Sequence, residues 1–298
     1  MSETCQSADN GEETVEPLSG NDWRGGLGRK WAAHLEALET QWAGTLPLGF
    51  KALAPVAGER IVDLGCGGGR TTRALAEAVG PTGQVLGLDV SPDLVPIART
   101  GLQGLDQASV MLSDASSHPF EPGGWDALFS RFGVMFFGDP PAAFTHLHAA
   151  LRPGGRAVFV VHADRKESPW AAVPARVAAE VLGPAEPSPP GAPGPFGWES
   201  PEIFEPILSG AGFREIAWTT HPVTGPMGAG LDPDPMRAAI RMVLGIGMVA
   251  RRLAELDDEP RAAAASSLEA RLPEVLAPYL SEGAVQIGGR IHVISAQA

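Results

Sequence analysis

The stretch that decides the fold is Ile61-Val62-Asp63-Leu64-Gly65-Cys66-Gly67-Gly68-Gly69-Arg70. A short apolar run opening on β-branched residues ends in an acid, a cluster of glycines follows, and a helical pattern begins at Thr71. That order is strand, glycine turn, helix. Glycine belongs where backbone must take φ > 0 or approach a ligand with no Cβ in the way, and the helix behind offers unpaired N–H groups to an acceptor.

Spacing narrows the ligand. A dinucleotide turn needs G-x-G-x-x-G, and after Gly65 and Gly67 the third place is taken by Arg70, although Asp89 stands about 20 residues further on, as that motif also expects. The pattern satisfied in full is D-x-G-x-G-x-G, through Asp63, Gly65, Gly67 and Gly69. This resembles motif I of the class I S-adenosylmethionine-dependent methyltransferases. The resemblance implies that Asp63 and the turn backbone at Gly65, Cys66 and Gly67 hold the amino-acid half of S-adenosylmethionine, which has no pyrophosphate.

Two more strands end in acids. Residues 84–89 (QVLGLD) form a second buried strand, and Asp89 at its carboxyl edge can accept both hydroxyls of a ribose. Ser91-Pro92-Asp93 caps the next helix and aims Leu94 at the cleft, while Pro96 is expected to cost that helix a hydrogen bond. Residues 108–113 make the third strand and close on Asp114. By resemblance, Val90 beside Asp89 joins the cofactor site, Asp114 binds the adenine amine and the N–H of Ala115 reaches a ring nitrogen. Three strand-terminal acids at near-equal spacing are a far more specific signal than one, which is usually a cap or turn residue.

The fourth strand, 125–130, enters Ser130-Arg131-Phe132-Gly133, where the substrate is expected and where Ser130 is assigned to the cofactor. Amino-methylating enzymes of nucleic acids carry a (D/N)-P-P-(Y/F) tetrad at this place. Asp139-Pro140-Pro141 comes nine residues too late, continues with Ala142, and reads as a helix start. Arg131 orients an acidic or carbonyl group of the substrate, or closes the cleft by pairing with a carboxylate. Leu151-Arg152-Pro153-Gly154-Gly155 is a tight turn into strand five, 157–161, and His162 follows at its carboxyl end. His162 is the best-placed titratable group for a general base; the alternative is a histidine bonded at a strand end. His146 and His148 are two apart, on different helix faces, and no metal is expected.

The remaining chain supplies cover. Trp23, Trp31, Leu35, Leu38 and Trp42 suggest a helix with an aromatic rim, a lid over the cofactor or a cover for the sheet, with Trp31 the candidate contact; a second helix follows around 46–53. Strand six is expected over 213–223 and the last strand over 284–295, pairing antiparallel. Residues 235–280 read as helices broken near Pro260 and Pro273, whose Met236, Met242 and Met248 line a pocket or pack a core. The expected organisation is a disordered acidic tail (1–20), a helical lid (21–57), a Rossmann-like cofactor core (58–165), and the rest of the sheet (166–298) carrying a cap segment (166–205) and a helical insertion (231–282).

Composition bounds the partners. The net charge of −13 leaves no basic stripe for phosphates, which disfavours nucleic acid. No apolar run approaches the roughly 18 to 20 residues of a membrane span and no leader pattern opens the sequence, so a cytoplasmic protein is expected, monomer or homodimer. Two cysteines cannot frame a zinc site, and Cys66 is either an activated thiol beside a helix start or a small packing side chain. SRFGVMFFGDP (130–140), LRPGG (151–155), ESPW (167–170) and PGPF (193–196) resemble a bacterial, small-molecule branch of the methyltransferases, types 11 and 25. High Ala, Gly, Pro and Arg usage fits a GC-rich genome and a tailoring role. The fold class that follows is α/β, a doubly wound, seven-stranded, mostly parallel sheet, ordered by resemblance 3-2-1-4-5-7-6. The activity implied is methyl transfer to O, N or C of a small molecule, leaving S-adenosylhomocysteine. The rivals are a non-catalytic S-adenosylmethionine-binding protein and an NAD-type oxidoreductase.

Overall fold

Short apolar runs buried on both faces become parallel strands, since neither side needs polar residues. These are β1 (Arg60–Leu64), β2 (Gln84–Asp89), β4 (Trp125–Arg131) and β5 (Leu151–His162); the parallel edge strand β3 (Ala108–Leu112) buries only Val110. The structure, a computed structural model, describes residues 20–298; the expected acidic tail with Cys5 lies, but for its last residue, outside them. After β5 come β6 (Arg214–Pro226), the two-residue β7 (Leu280–Ser281) and β8 (Ala284–Gln297). The sheet order is β3-β2-β1-β4-β5-β8-β6, with β7 paired to β8 off this path. It is the expected order, the last long strand counting as the eighth because β7 precedes it. β8 is antiparallel to both neighbours.

Helices fill the connections. Ahead of β1 lie α1 (Gly20–Trp23), α2 (Gly26–Ala33), α3 (Leu35–Gln41) and α4 (Thr45–Leu53); α5 (Arg70–Val79), α6 (Leu94–Gly101) and α7 (Pro140–Ala150) link the parallel strands. α8 (Pro169–Leu182) and α9 (Pro201–Gly210) precede β6, and α10 (Pro235–Gly245), α11 (Met248–Ala254) and α12 (Asp258–Leu276) separate it from β7. None is long and apolar enough to cross a membrane among the described residues.

Several local expectations are corrected. The first aromatic helix is three, interrupted at Gly25 and at His34, whose Nδ1 lies 2.7 Å from the Lys30 carbonyl oxygen. Pro96 costs α6 a bond as expected: the Val95 N–H already reaches the Ser91 carbonyl at 3.2 Å, so the next N–H of the ladder, which Pro96 lacks, would have met the Pro92 carbonyl. Pro260 is third in α12, and the break expected near it falls just ahead, at residues 255–257, whereas Pro273 lies within that helix and makes none. A further break falls at Ile246-Gly247, where Gly247 takes φ +92°. The LRPGG turn is an excursion within β5: Trp125 pairs Leu151, yet Ala127 pairs Arg156.

Alternation along the strands sorts two cores. Ile61, Val85, Phe129, Val158 and Val160 pack on one face, with Leu53 of α4 and Leu75 and Val79 of α5. Val62, Leu64, Leu88, Leu128, Phe159 and Val161 pack on the other, with Phe144 and Leu147 of α7 and Trp198. A third cluster joins Val177 of α8, Leu268 and Leu272 of α12, and Val285 and Ile287 of β8 to Ala37 and Leu38 of α3. Met242 is buried in it and Met236 packs against it, so both methionines serve packing.

The order reverses between β1 and β4: β2 and β3 lie to one side, β4 and β5 to the other. Open α/β sheets take their ligands at the strand carboxyl ends beside such a reversal.

Candidate functional site

A cleft stands at that point, walled by the ends of these strands and by the helices ahead of β1. The glycine turn forms its base. Gly65, at φ +69°, packs so closely against the loop after β4 that a Cβ would lie 2.8 Å from the Gly133 Cα. Gly67, at φ +54°, has nothing within 4 Å of the place a Cβ would take. Backbone facing open space there is a cradle for a ligand lying on the turn.

The strand-terminal acids have different surroundings. Asp89 accepts from the Gly67 N–H at 2.8 Å through one carboxylate oxygen and from the Ser91 N–H at 2.8 Å through the other, tying the turn to the end of β2. Burial pushes its carboxyl above the usual range against those backbone hydrogen bonds, and each oxygen retains capacity for a further donor. Asp114 accepts from the N–H and hydroxyl of Ser116 at 2.9 and 2.6 Å, and Arg24 stands 3.3 Å from its other oxygen. Asp89, Val90, Leu94, Asp114 and Ala115 all line the cleft, as do Gly65, Cys66, Gly67, Trp31 and Arg131.

Asp63, Ser130 and His162, also expected at the site, do not line it. Asp63 is 1% exposed beneath the turn, where the Thr72 hydroxyl donates to it at 2.7 Å. Desolvation raises its pKa to about 7, Thr72 and Arg131 opposing the rise. Ser130 is a staple: its hydroxyl donates to the Leu64 carbonyl at 2.7 Å and accepts from the N–H groups of Gly133 and Val134, joining the ends of β1 and β4. His162 is 6% exposed in an aromatic box, stacked on Phe132 with ring centroids 4.4 Å apart and flanked by Trp42 at 4.8 Å and Trp170 at 5.0 Å. Burial lowers its pKa to about 3, so the ring is neutral at ordinary pH. Phe132 lines the cleft in its place, at φ +67°, a conformation rare for a bulky side chain.

Arg131 is paired. Its Nη2 lies 2.7 Å from both carboxylate oxygens of Glu39 on α3, and its Nε donates to the Thr71 hydroxyl at 3.2 Å. The two side chains are 9% and 12% exposed, and Arg70 Nε approaches Glu39 at 3.3 Å. Cys66 is buried against Val95, Ala98 and Leu102, and its thiol is pushed well up, which fits packing and leaves no activated nucleophile.

The cover comes from residues the sequence singled out only in part. Trp23 and Trp31 meet edge to face at 5.1 Å, and Trp23 meets Phe136 at 5.0 Å. Glu39, Thr71, Phe136 and Phe137 line the cleft without having been assigned to it, and Trp42 and Phe132, named for the lid and for the substrate stretch, line it too. For Glu39 and Trp42 the available signal is their spacing of three, which puts them on one helix face. Among the described residues, no group of three or more His, Cys, Asp and Glu side chains is arranged to hold a metal.

Comparison with known proteins agrees with this arrangement. Residues 61–155 match a family described as Methyltransferase domain. The chain is 36% identical over 109 residues to demethylmenaquinone methyltransferase of Clavibacter sepedonicus, covering 37% of this chain and 43% of that one. It is 36% identical over 107 residues to aklanonic acid methyltransferase DauC of Streptomyces sp. (strain C5), covering 35% and 49%. These matches span less than half the length of the relatives. Among solved structures, phosphoethanolamine N-methyltransferase 2 of Haemonchus contortus, in complex with S-adenosylhomocysteine, superposes with a TM-score of 0.53 at 18% identity, over 94% of this chain and 60% of that one.

Proposed function

We propose, from the premise that residues 61–155 belong to the methyltransferase-domain family on a class I methyltransferase fold, that this chain binds S-adenosylmethionine in the cleft and methylates a small molecule. The observation that carries the reading is the glycine turn. Its Gly67 backbone is open to the cleft and hydrogen-bonded to Asp89, with Asp114 at the next strand end. Those groups suit a nucleoside, whose ribose hydroxyls donate to Asp89 and whose adenine meets Asp114 and the Ala115 backbone.

The cofactor supplies a sulfonium methyl that is already electrophilic. What the residues contribute is placement: Gly67 and Asp89 fix the nucleoside, Leu94 and Trp31 bound it, and Trp42, Phe132 and Phe136 wall the remaining cleft against water. Holding donor and acceptor in line in a dry pocket contributes about 7 to 11 kcal/mol to such a reaction. We assign His162 to supporting Phe132 from behind and not to proton transfer, because Phe132 lies against the face of its ring. The product is S-adenosylhomocysteine.

The acceptor is read as a small molecule, with O, N or C as the methylated atom. Two relatives are named for demethylmenaquinone and aklanonic acid, and the aromatic wall favours an acceptor with apolar ring surface. Arg131 is the single basic side chain lining the cleft among the described residues, and with a net charge of −13 this disfavours nucleic acid. We read residues 21–57 as the cover, 58–165 as the cofactor core and 166–298 as its completion, in a cytoplasmic protein.

Calorimetric titration with S-adenosylmethionine and with NAD, beside Asp89→Ala, tests this. Micromolar S-adenosylmethionine binding that the variant loses, with no response to NAD, is expected. No S-adenosylmethionine binding by the wild type overturns the reading.

A further inference from the structure

We infer that the Arg131–Glu39 pair receives the amino-acid end of the cofactor, Arg131 taking its carboxylate and Glu39 its ammonium. The inference rests on the reading of the cleft as an S-adenosylmethionine site and adds a residue, Glu39, to it.

The cleft must accommodate a zwitterion, and its charges leave one place for one. Asp89 is engaged by the Gly67 and Ser91 N–H groups, and Asp114 by Ser116 and Arg24. Arg131 is the one cation among the described lining residues, and Glu39 holds it. Asp63, the acid expected to meet the ammonium, lies beneath the turn and gives its carboxylate to Thr72. The ammonium therefore needs another acid.

Position agrees with charge. Arg131 Nε is anchored on the Thr71 hydroxyl, and Glu39 also meets Arg70, so the pair sits over the first turn of α5, directly after the glycines. Asp89 and Asp114 stand at the ends of β2 and β3, on the other side of β1 from β4. A ligand lying across the turn with its nucleoside at those acids extends its far end toward Arg131. A helix start there also favours an anion.

Exchange is the physical attraction of the site. Removing one partner from a nearly buried ion pair strands a charge, which is strongly unfavourable. A ligand arm carrying both charges replaces both partners at once and leaves neither Arg131 nor Glu39 alone. Glu39 belongs to α3, so binding also fastens the helical cover to the sheet.

The test is calorimetric titration of the full chain with three ligands. S-adenosylhomocysteine carries both charges of the amino-acid end, decarboxylated S-adenosylmethionine keeps only the amine, and methylthioadenosine has neither. Arg131→Ala is expected to weaken S-adenosylhomocysteine about tenfold or more and to leave the other two within twofold, since a charge-assisted contact is lost. Glu39→Gln is expected to weaken S-adenosylhomocysteine and the decarboxylated ligand, and to spare methylthioadenosine. Unchanged S-adenosylhomocysteine affinity in both variants overturns the inference while the nucleoside site stands. If the wild type binds none of the three, the reading beneath it falls as well. Retained methylthioadenosine binding reports that a variant is folded. Should Arg131→Ala not fold, Arg131→Lys keeps the charge without the planar fork, and S-adenosylhomocysteine affinity equal to wild type in that variant and in Glu39→Gln counts against the assignment.

Discussion

Replacing His162 by phenylalanine should give stability a pH dependence that the wild type conceals. Two fully buried groups act in opposite directions. His162 titrates near 3 in the fold against 6.5 in the open chain, so between those values the unfolded chain binds a proton that the folded one refuses. Stability rises with pH across that window, by about 5 kcal/mol in all, at about 1.4 kcal/mol per pH unit. Asp63 titrates near 7 in the fold against 3.8 when free, so between those values the folded chain keeps a proton the unfolded one has lost. Stability falls with rising pH across that window, by about 4 kcal/mol. From about pH 4 to 6.5 the two slopes cancel. His162→Phe removes one and unmasks the other: relative to wild type, the variant should lose about 2 kcal/mol between pH 4.5 and 6.5. Asp63→Asn should gain about as much over the same range, and the double variant should match the wild-type slope. Asp89 acts in the direction of Asp63, and His118 and His292 in that of His162, so the quantity to compare is variant minus wild type. Urea unfolding at pH 4.5, 5.5 and 6.5 measures it. A His162→Phe profile parallel to the wild type would refute the argument that this imidazole is neutral because it is buried.

Two further substitutions probe the frame of the cleft. Gly65→Ala places a Cβ against Gly133 at a backbone φ of +69°, and should cost about 1 to 3 kcal/mol in denaturant unfolding, whereas Gly80→Ala, at φ +67° with open space around it, should cost less. Arg156 donates to Glu59 and to the carbonyls of Leu53 and Ala54, and its side chain is the first cause of a lowered Glu59 pKa. Arg156→Ala should cost about 2 kcal/mol at pH 7 and less as the pH drops through the Glu59 titration, because the wild type loses that stabilisation there; an equal cost at pH 3.5 and 7 would argue against it.

The central strands were legible because burial on both faces writes each as an apolar run closed by an acid and a turn. The acids at 63, 89 and 114 located the strand ends, and the cleft stands there. Which of them face it depends on depth. Asp63 pairs with Gly87, two residues short of Asp89 at the end of β2, and so lies beneath the turn, while His162 is covered by Phe132, Trp42 and Trp170. Neither the register nor that aromatic cover can be read from one strand alone. The Arg131–Glu39 pair was not readable, since its partners lie 92 residues apart and meet only because α3 crosses the end of β4. The break expected at Pro273 is absent because Leu268, Leu272 and Leu276 on either side of it are buried in the third core, and packing holds the helix through the lost hydrogen bond.

The third core has a consequence for how the molecule is made. Ala37 and Leu38 of α3 are buried with Leu268 and Leu272 of α12 and with Val285 and Ile287 of β8, at the far end of the chain. β8 lies between β5 and β6, so the sheet itself is completed out of order. During synthesis the helices that cover the cleft emerge before the sheet, yet their apolar face meets its partners only after nearly all the remaining described residues have appeared. Until then Leu38 and the tryptophans beside it are exposed. Closure of the cleft is thus expected among the last steps of folding, a long-range event that is slow and, while it is pending, open to aggregation.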